Sequence, residues 1–191
     1  MHTKKISSSV TNYAKAIADG LSDLFEETDL RPDDVAEILH GTTVASNAIL
    51  ELKGARTGLI TTKGFRDVLI MSRAKRYDTY DLHLDKPKPL VSRRHIFEVS
   101  ERTAADGTVI QPLDKTSVEA VIQSLEKLEV EAVAVCLLHA YANAEHEQTI
   151  ASMLQVAHPN WPVAISSDVS PKYREYERTS TVVAVSYTHL R

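Results

Sequence analysis

The stretch HGTTVASNAILELKGARTGLITTKGFRD, residues 40–67, decides how this chain is read. It packs a strand end, a polar turn, a helix, a second strand and a second polar turn into 28 residues. Val44, Ala48, Ile49 and Leu52 recur at helical spacing, and Gly54 stops the helix they predict. Residues 57–61 predict a strand, after which Gly64 opens a short helix with Phe65, Val68 and Leu69 as its apolar face. Ligands in α/β proteins sit where strands end and helices start. Thr42, Thr43, Asn47, Arg56, Thr61, Thr62, Lys63 and Arg66 fall at or near those junctions. Backbone N–H groups at a helix start, with hydroxyls beside them, favour an anion or a carbonyl oxygen. Lys63 and Arg66 can add charge-assisted bonds. Plain helix capping by Thr42 or Thr43 accounts for the same residues. Lys63 is not a Walker lysine, because Gly64 and Phe65 follow it where that motif needs Ser or Thr.

Working outward, Ala14, Ile17, Ala18, Leu21, Leu24 and Phe25 make one stripe of a helix over residues 10–27. Pro32 marks residues 28–34 as a connector, and residues 35–39 read as a short strand broken by Gly41. Residues 71–94 are rich in charge, tyrosine and proline and form a long excursion. Its Arg73, Arg76, Tyr77, Tyr80 and Asp81 suit a lid over a small polar substrate, or equally a mobile surface loop. A hairpin follows, with a strand at 95–101, a turn at 105–108 and a return at 109–113. Thr116 to Glu119 matches a capping box, and Val118, Val121, Ile122, Leu125 and Leu128 line the helix behind it. Residues 132–138 form a continuous apolar strand, as expected when both faces are covered. Asn143 caps the next helix, residues 162–166 give another strand, and a last helix begins near Pro171. The order is α-β-α-β-α, a hairpin insert, then α-β-α-β-α. It predicts an α/β fold with a mostly parallel sheet and flanking helices.

The 191 residues carry a net charge of −4, which leaves no electrostatic footprint for nucleic acid. No apolar run approaches the roughly 20 residues that cross a bilayer, so no membrane partner is expected. One cysteine permits no internal disulfide and points to a reducing compartment, the cytoplasm. Eight histidines show no ligand spacing. His146-Glu147 begins like HExxH, but Ile150 stands at the fifth position, so no metal site is assigned. His146 is expected in the first turn of a surface helix, and His139 can reach a pocket at a strand end. Cys136, inside an apolar strand, is expected to be buried and inert. In KYREYERTST, residues 172–181, Arg174 and Arg178 share a face that reads as a solvated, salt-bridged helix. No general base can be named from these patterns.

HGTTVASNAILELKGARTGLITTKGFRDVL closely resembles the N-terminal region of the hydantoinase A / 5-oxoprolinase family. The match runs on through YDL at 80–82, KPxPLV at 86–91, FEVSERTAADG at 97–107, the strand at 132–138 and REYERTSTVV at 174–183. The resemblance implies an actin-like, ribonuclease H-like ATPase-type domain, here incomplete. It implies ATP with Mg as cofactor and ATP-dependent activation of an amide oxygen, so that water opens a small cyclic amide of hydantoin or 5-oxoproline type. A hydantoinase B-type subunit is the implied partner. Thr42, Thr43 and Asn47 would then be polar contacts in the pocket wall, with Arg73, Arg102 and Arg174 recognising an anion or the substrate. A non-catalytic or carboxylase-type subunit of the same family, or an inactive fragment, are the alternatives. Family members begin with a DxGGTFTD-like phosphate loop, whereas this chain reads MHTKKISSSV before its first helix. Residues 1–184 are therefore expected to be a family N-terminal domain lacking that strand and unable to hydrolyse ATP alone. Residues 185–191 are expected to be a non-native tail.

Overall fold

The structure is a computed structural model that describes residues 3–6, 13–28, 31–39, 41–74, 80–81, 83 and 87–189. The chain divides into two compact units, Met1–Thr42 and Thr43–Arg191. In the first, helix α1 (Tyr13–Thr28) is flanked by a 3-10 turn at Pro32–Asp34. Lys4 ties the unit together by pairing with Asp23 at 3.1 Å and Glu27 at 2.8 Å. Val10, the expected start of α1, and His40 lie outside the described residues. The strand expected over residues 35–39 is absent. That segment is irregular, and Ile38 and Leu39 are 67% and 86% exposed. Apolar letters make a strand only where a neighbouring backbone takes up their N–H and C=O groups.

The second unit is a three-layer α/β structure. Its elements are α2 (Val44–Leu50), β1 (Thr57–Thr62), α3 (Val68–Met71), β2 (Ile96–Val99), β3 (Arg102–Thr103), β4 (Val109–Gln111), α4 (Lys115–Lys127), β5 (Ala132–Cys136), α5 (Glu145–Ala157), β6 (Val163–Ile165), α6 (Ser166–Val169) and α7 (Glu175–Tyr187). Four strands form one sheet in the order β2-β1-β5-β6, all parallel. Strand alternation sends successive side chains to opposite faces. Ile60, Val133 and Val135 therefore meet Val118, Val121, Ile122 and Leu125 of α4 and Ile150 and Leu154 of α5. Leu59, Ala134 and Cys136 meet Leu69 of α3 and Val182 and Val183 of α7 on the other face. With both faces covered, β1 and β5 are buried along their whole length.

Three local expectations are corrected. The strand at 95–101 does not pair with the return strand of a hairpin. β2 joins the main sheet beside β1, with Leu59 opposite Ile96, and the hairpin is the separate antiparallel pair β3-β4. The turn itself lies where expected. Gly107 adopts φ 87°, and a Cβ there would meet the Ala142 carbonyl oxygen at 3.1 Å, so glycine is required. Helix α4 is capped by Asp114, whose Oδ1 accepts from the Thr116 N–H at 3.0 Å and its hydroxyl at 2.6 Å, and not by a Thr116–Glu119 box. The carboxylate precedes the threonine and takes its hydroxyl. Helix α2 begins after Thr43, but neither Thr43 nor Asp67 before α3 forms a side-chain cap. Leu50 and Leu52 of the α2 segment are 80% and 65% exposed, so only Ala48 is buried there.

Arg76, Tyr77, Leu82 and Lys86 of the excursion lie outside the described residues. The excursion returns to the core at Val91, which is buried against the α3–α7 face. Helix α7 runs through Val185 to Tyr187, with Ser186 and Tyr187 buried. Gly54 lies so close to Tyr187 that any Cβ there would overlap its ring and its carbonyl oxygen.

Candidate functional site

The strands of a parallel sheet all end on one side, and polar chemistry in this unit collects there. Two adjoining networks occupy it. In the first, the Leu138 N–H donates to Thr62 Oγ1 at 2.9 Å, at the end of β1. The Thr62 hydroxyl donates to Glu101 Oε1, just past β2, and Glu101 Oε2 faces His146 Nδ1 at 2.8 Å. Glu101 and Thr62 are buried, and the His146 side chain keeps 11% of its surface exposed. His146 stands in the first turn of α5. Asn143 sets that turn by accepting from the Glu145 N–H at 3.0 Å while donating to the Gly107 carbonyl at 3.0 Å. The hairpin turn and the helix start thus hold one another.

The second network centres on Glu147 and Arg178, both fully buried. Glu147 accepts from the Leu137 N–H at 2.8 Å, the Ser166 hydroxyl at 2.6 Å and the Ser167 N–H at 2.8 Å. Arg178 donates Nε to Ser166 Oγ at 3.1 Å and its terminal nitrogens to the Lys172 and Leu137 carbonyls at 2.8 and 2.7 Å. It also pairs with Glu175 at 2.5 Å and lies over the Tyr141 ring at 5.5 Å. Burial pushes the Glu147 carboxyl above its ordinary range, opposed by the Ser166 hydroxyl and the Leu137 and Ser167 amides. Glu175 is raised by burial and drawn back by Arg178.

Next to this network, burial pushes the Cys136 thiol up to about 11, and its sulfur lies 3.2 Å from Thr179 Oγ1. The inert thiol read from sequence is therefore present. A raised pKa contributes stability that is complete below the unfolded value of about 8.5 and is lost as pH rises through about 11. Native protein at pH 8 is expected to resist a thiol reagent and to react within the mixing time in denaturant. Rapid labelling without denaturant would show the thiol to be accessible.

The sequence-derived candidates lie elsewhere. Thr42 is exposed, in the first unit. Thr43 and Asn47, both exposed, meet through a 3.5 Å amide–hydroxyl contact. Arg73 pairs with Glu177 at 2.6 Å, and the Arg174 charge acts on the same carboxylate. Arg174 itself is spread over Tyr173, with its Cζ 5.6 Å from the ring centroid. Arg102 donates to the Lys63 carbonyl at 3.3 Å and lies over Phe65. Two readings are corrected: His146 is buried rather than on a surface helix, and Arg178 is wholly buried rather than part of a solvated face. Glu101, His146, Glu147 and Arg178 form the site that residue patterns missed. The available signal was position, since each acid or base follows directly on an apolar strand or helix start.

The Thr61–Gly64 turn does not fit a nucleotide phosphate. The Gly64 N–H donates to Glu98 Oε1 at 2.7 Å, the Lys63 N–H to the Val99 carbonyl at 3.0 Å, and the Thr62 hydroxyl to Glu101. A carboxylate therefore stands where a phosphate would need donors. Among the described residues no cluster of three or more His, Cys, Asp or Glu could hold a metal ion, and no helix is long and apolar enough to cross a membrane.

Comparison with known proteins shows what the chain resembles. An uncharacterised protein of Methanocaldococcus jannaschii is 36% identical over 171 residues, covering 88% of this chain and 25% of its own. The crystal structure of the ATP-dependent caprolactamase from Pseudomonas jessenii matches with a TM-score of 0.84 at 32% identity, over 96% of this chain and 28% of that one. A nucleotide-free acetone carboxylase matches with a TM-score of 0.81 at 26% identity, over 95% of this chain and 28% of that one. The chain thus spans about a quarter of the length of these relatives. The family described as hydantoinase/oxoprolinase N-terminal region matches residues 1–157, and the chain belongs to that family.

Proposed function

We propose that the protein carrying this chain is an ATP-dependent hydrolase that opens a small cyclic amide of the hydantoin, 5-oxoproline or caprolactam type. The observation that carries this reading is the likeness to the ATP-dependent caprolactamase over nearly the whole chain. ATP would activate the amide carbonyl for attack by water, with Mg as its counter-ion. The nucleotide is assigned to the whole protein and to none of the residues described here. Thr42, Thr43 and Asn47 remain proposed substrate contacts, and Arg73, Arg102 and Arg174 proposed anion contacts. The ion pairs and ring contacts of the three arginines are on exposed surface and would exchange for a ligand at little cost. A hydantoinase B-type subunit is the proposed partner, and the single unpaired cysteine favours the cytoplasm.

The test is turnover by the full-length protein with its partner subunit, supplied with Mg-ATP and each of the three cyclic amides. Ring opening with release of ADP, abolished by chelation and restored by Mg, is the expected result. The likeness to acetone carboxylase supports a second reading, a carboxylase subunit. Bicarbonate-dependent carboxylation of a ketone, with all three amides untouched, would favour it and overturn the first.

A further inference from the structure

The donors and acceptors around His146 fix which of its nitrogens is available. Thr62 Oγ1 accepts the Leu138 N–H, so its own proton goes to Glu101 Oε1. That leaves Glu101 Oε2 facing His146 Nδ1. An ionised carboxylate only accepts, so Nδ1 carries the hydrogen and the lone pair of the neutral ring falls on Nε2. The chain of donation runs from a backbone amide through a hydroxyl and a carboxylate to an imidazole. Every member comes from a different element at the C-terminal end of the sheet. A histidine that only fills space needs no such series of partners, nor any remaining exposure.

From this geometry we infer that His146 is the proton acceptor of the cyclic amide hydrolysis, with Glu101 and Thr62 as positioning residues. The inference rests on the function proposed above. On the amide whose oxygen has received the ATP γ-phosphoryl group, Nε2 takes a proton from water as the water oxygen bonds to the amide carbon and the C–N double-bond pair moves onto nitrogen. When the new hydroxyl becomes a carbonyl, its proton passing to solvent, and the C–N bond breaks, the ring nitrogen leaves with the proton held on Nε2, and a second water cleaves the remaining acyl phosphate to carboxylate and phosphate. Two waters and one ATP are consumed and the imidazole is restored neutral. Glu101 touches neither water nor amide. It holds the tautomer and steadies the imidazolium formed between the two steps.

The test uses the full-length protein with its partner subunit and Mg-ATP. His146→Gln keeps a donor for Glu101 but has no base, and kcat is expected to fall roughly 10²- to 10⁴-fold with the thermal midpoint held. His146→Ala should recover part of its kcat when imidazole is added, which a structural role would not produce. Glu101→Gln can donate to Nδ1 and so places the hydrogen on Nε2. It is expected to lower kcat while KM stays near the wild-type value. Wild-type kcat in His146→Gln, or failure of imidazole to restore His146→Ala, overturns the assignment of His146 alone. Failure of the wild type to open any cyclic amide overturns the functional reading beneath it.

Discussion

Replacing Arg178 with leucine will lower the thermal midpoint by roughly 6–20 °C. Removing one partner of a buried ion pair costs about 3–5 kcal/mol, and about 1 kcal/mol moves the midpoint of a domain this size by roughly 2–4 °C. The cost is large because Arg178 is wholly buried and serves four acceptors at once: Ser166 Oγ, the Lys172 and Leu137 carbonyls, and Glu175. Leucine would leave Ser166 Oγ, the Lys172 carbonyl and Glu175 without that donor. Arg178→Lys should recover little, since a point charge cannot reach acceptors spread over α6, α7, the residue after β5 and the segment before α7. Calorimetry or circular dichroism on heating measures the effect. A shift under about 2 °C, less than a single lost hydrogen bond would give, would show that the guanidinium holds nothing together.

Glu147→Ala is expected to destabilise by about 2–6 kcal/mol. Two buried amides, Leu137 and Ser167, lose their acceptor, at about 1–3 kcal/mol each. The larger lesson lies in the pair. Ser166 Oγ accepts from Arg178 and donates to Glu147, so each residue fixes the hydroxyl that the other uses. The double variant should therefore depart from the sum of the singles by about 0.5–3 kcal/mol, on the side of costing less. Urea denaturation of the four proteins gives the cycle, and additivity within about 0.5 kcal/mol would show the two to be independent. Burial raises the Glu147 carboxyl, so its contribution to stability is complete below the ordinary carboxylate range. That contribution is lost as pH rises through the raised value.

What could be read from residues alone was the part set by periodicity. The apolar run 132–138 announces a strand covered on both faces, of which 132–136 pairs, and the spacing of Val118, Val121, Ile122 and Leu125 announces a helix with one buried side. Pairing partners are not written in that way. Ile96–Val99 alternates equally well beside a hairpin partner or beside β1, and only the buried place next to Leu59 and Ile60 decides between them. The candidate site was harder to see for a related reason. Polar letters suggest solvent unless something far along the chain meets them. The Leu137 acceptor of Arg178, just past β5, is 41 positions away, and Glu101 is 45 positions from His146. The excursion suggested a substrate lid because it is long and rich in charge and tyrosine, yet its Arg73 reaches Glu177, 104 positions on.

The central seam of the sheet has a bearing on how the protein is made. β1 rests on β5, and Arg56, just before β1, already bonds to Glu131, 75 positions later. A ribosome therefore releases β1 long before its mate exists. Until β5 emerges, the nascent chain holds a sticky strand edge with one side uncovered. Synthesis rate across residues 63–131, and the chaperones that attend that interval, should thus govern yield more than any contact in the finished fold.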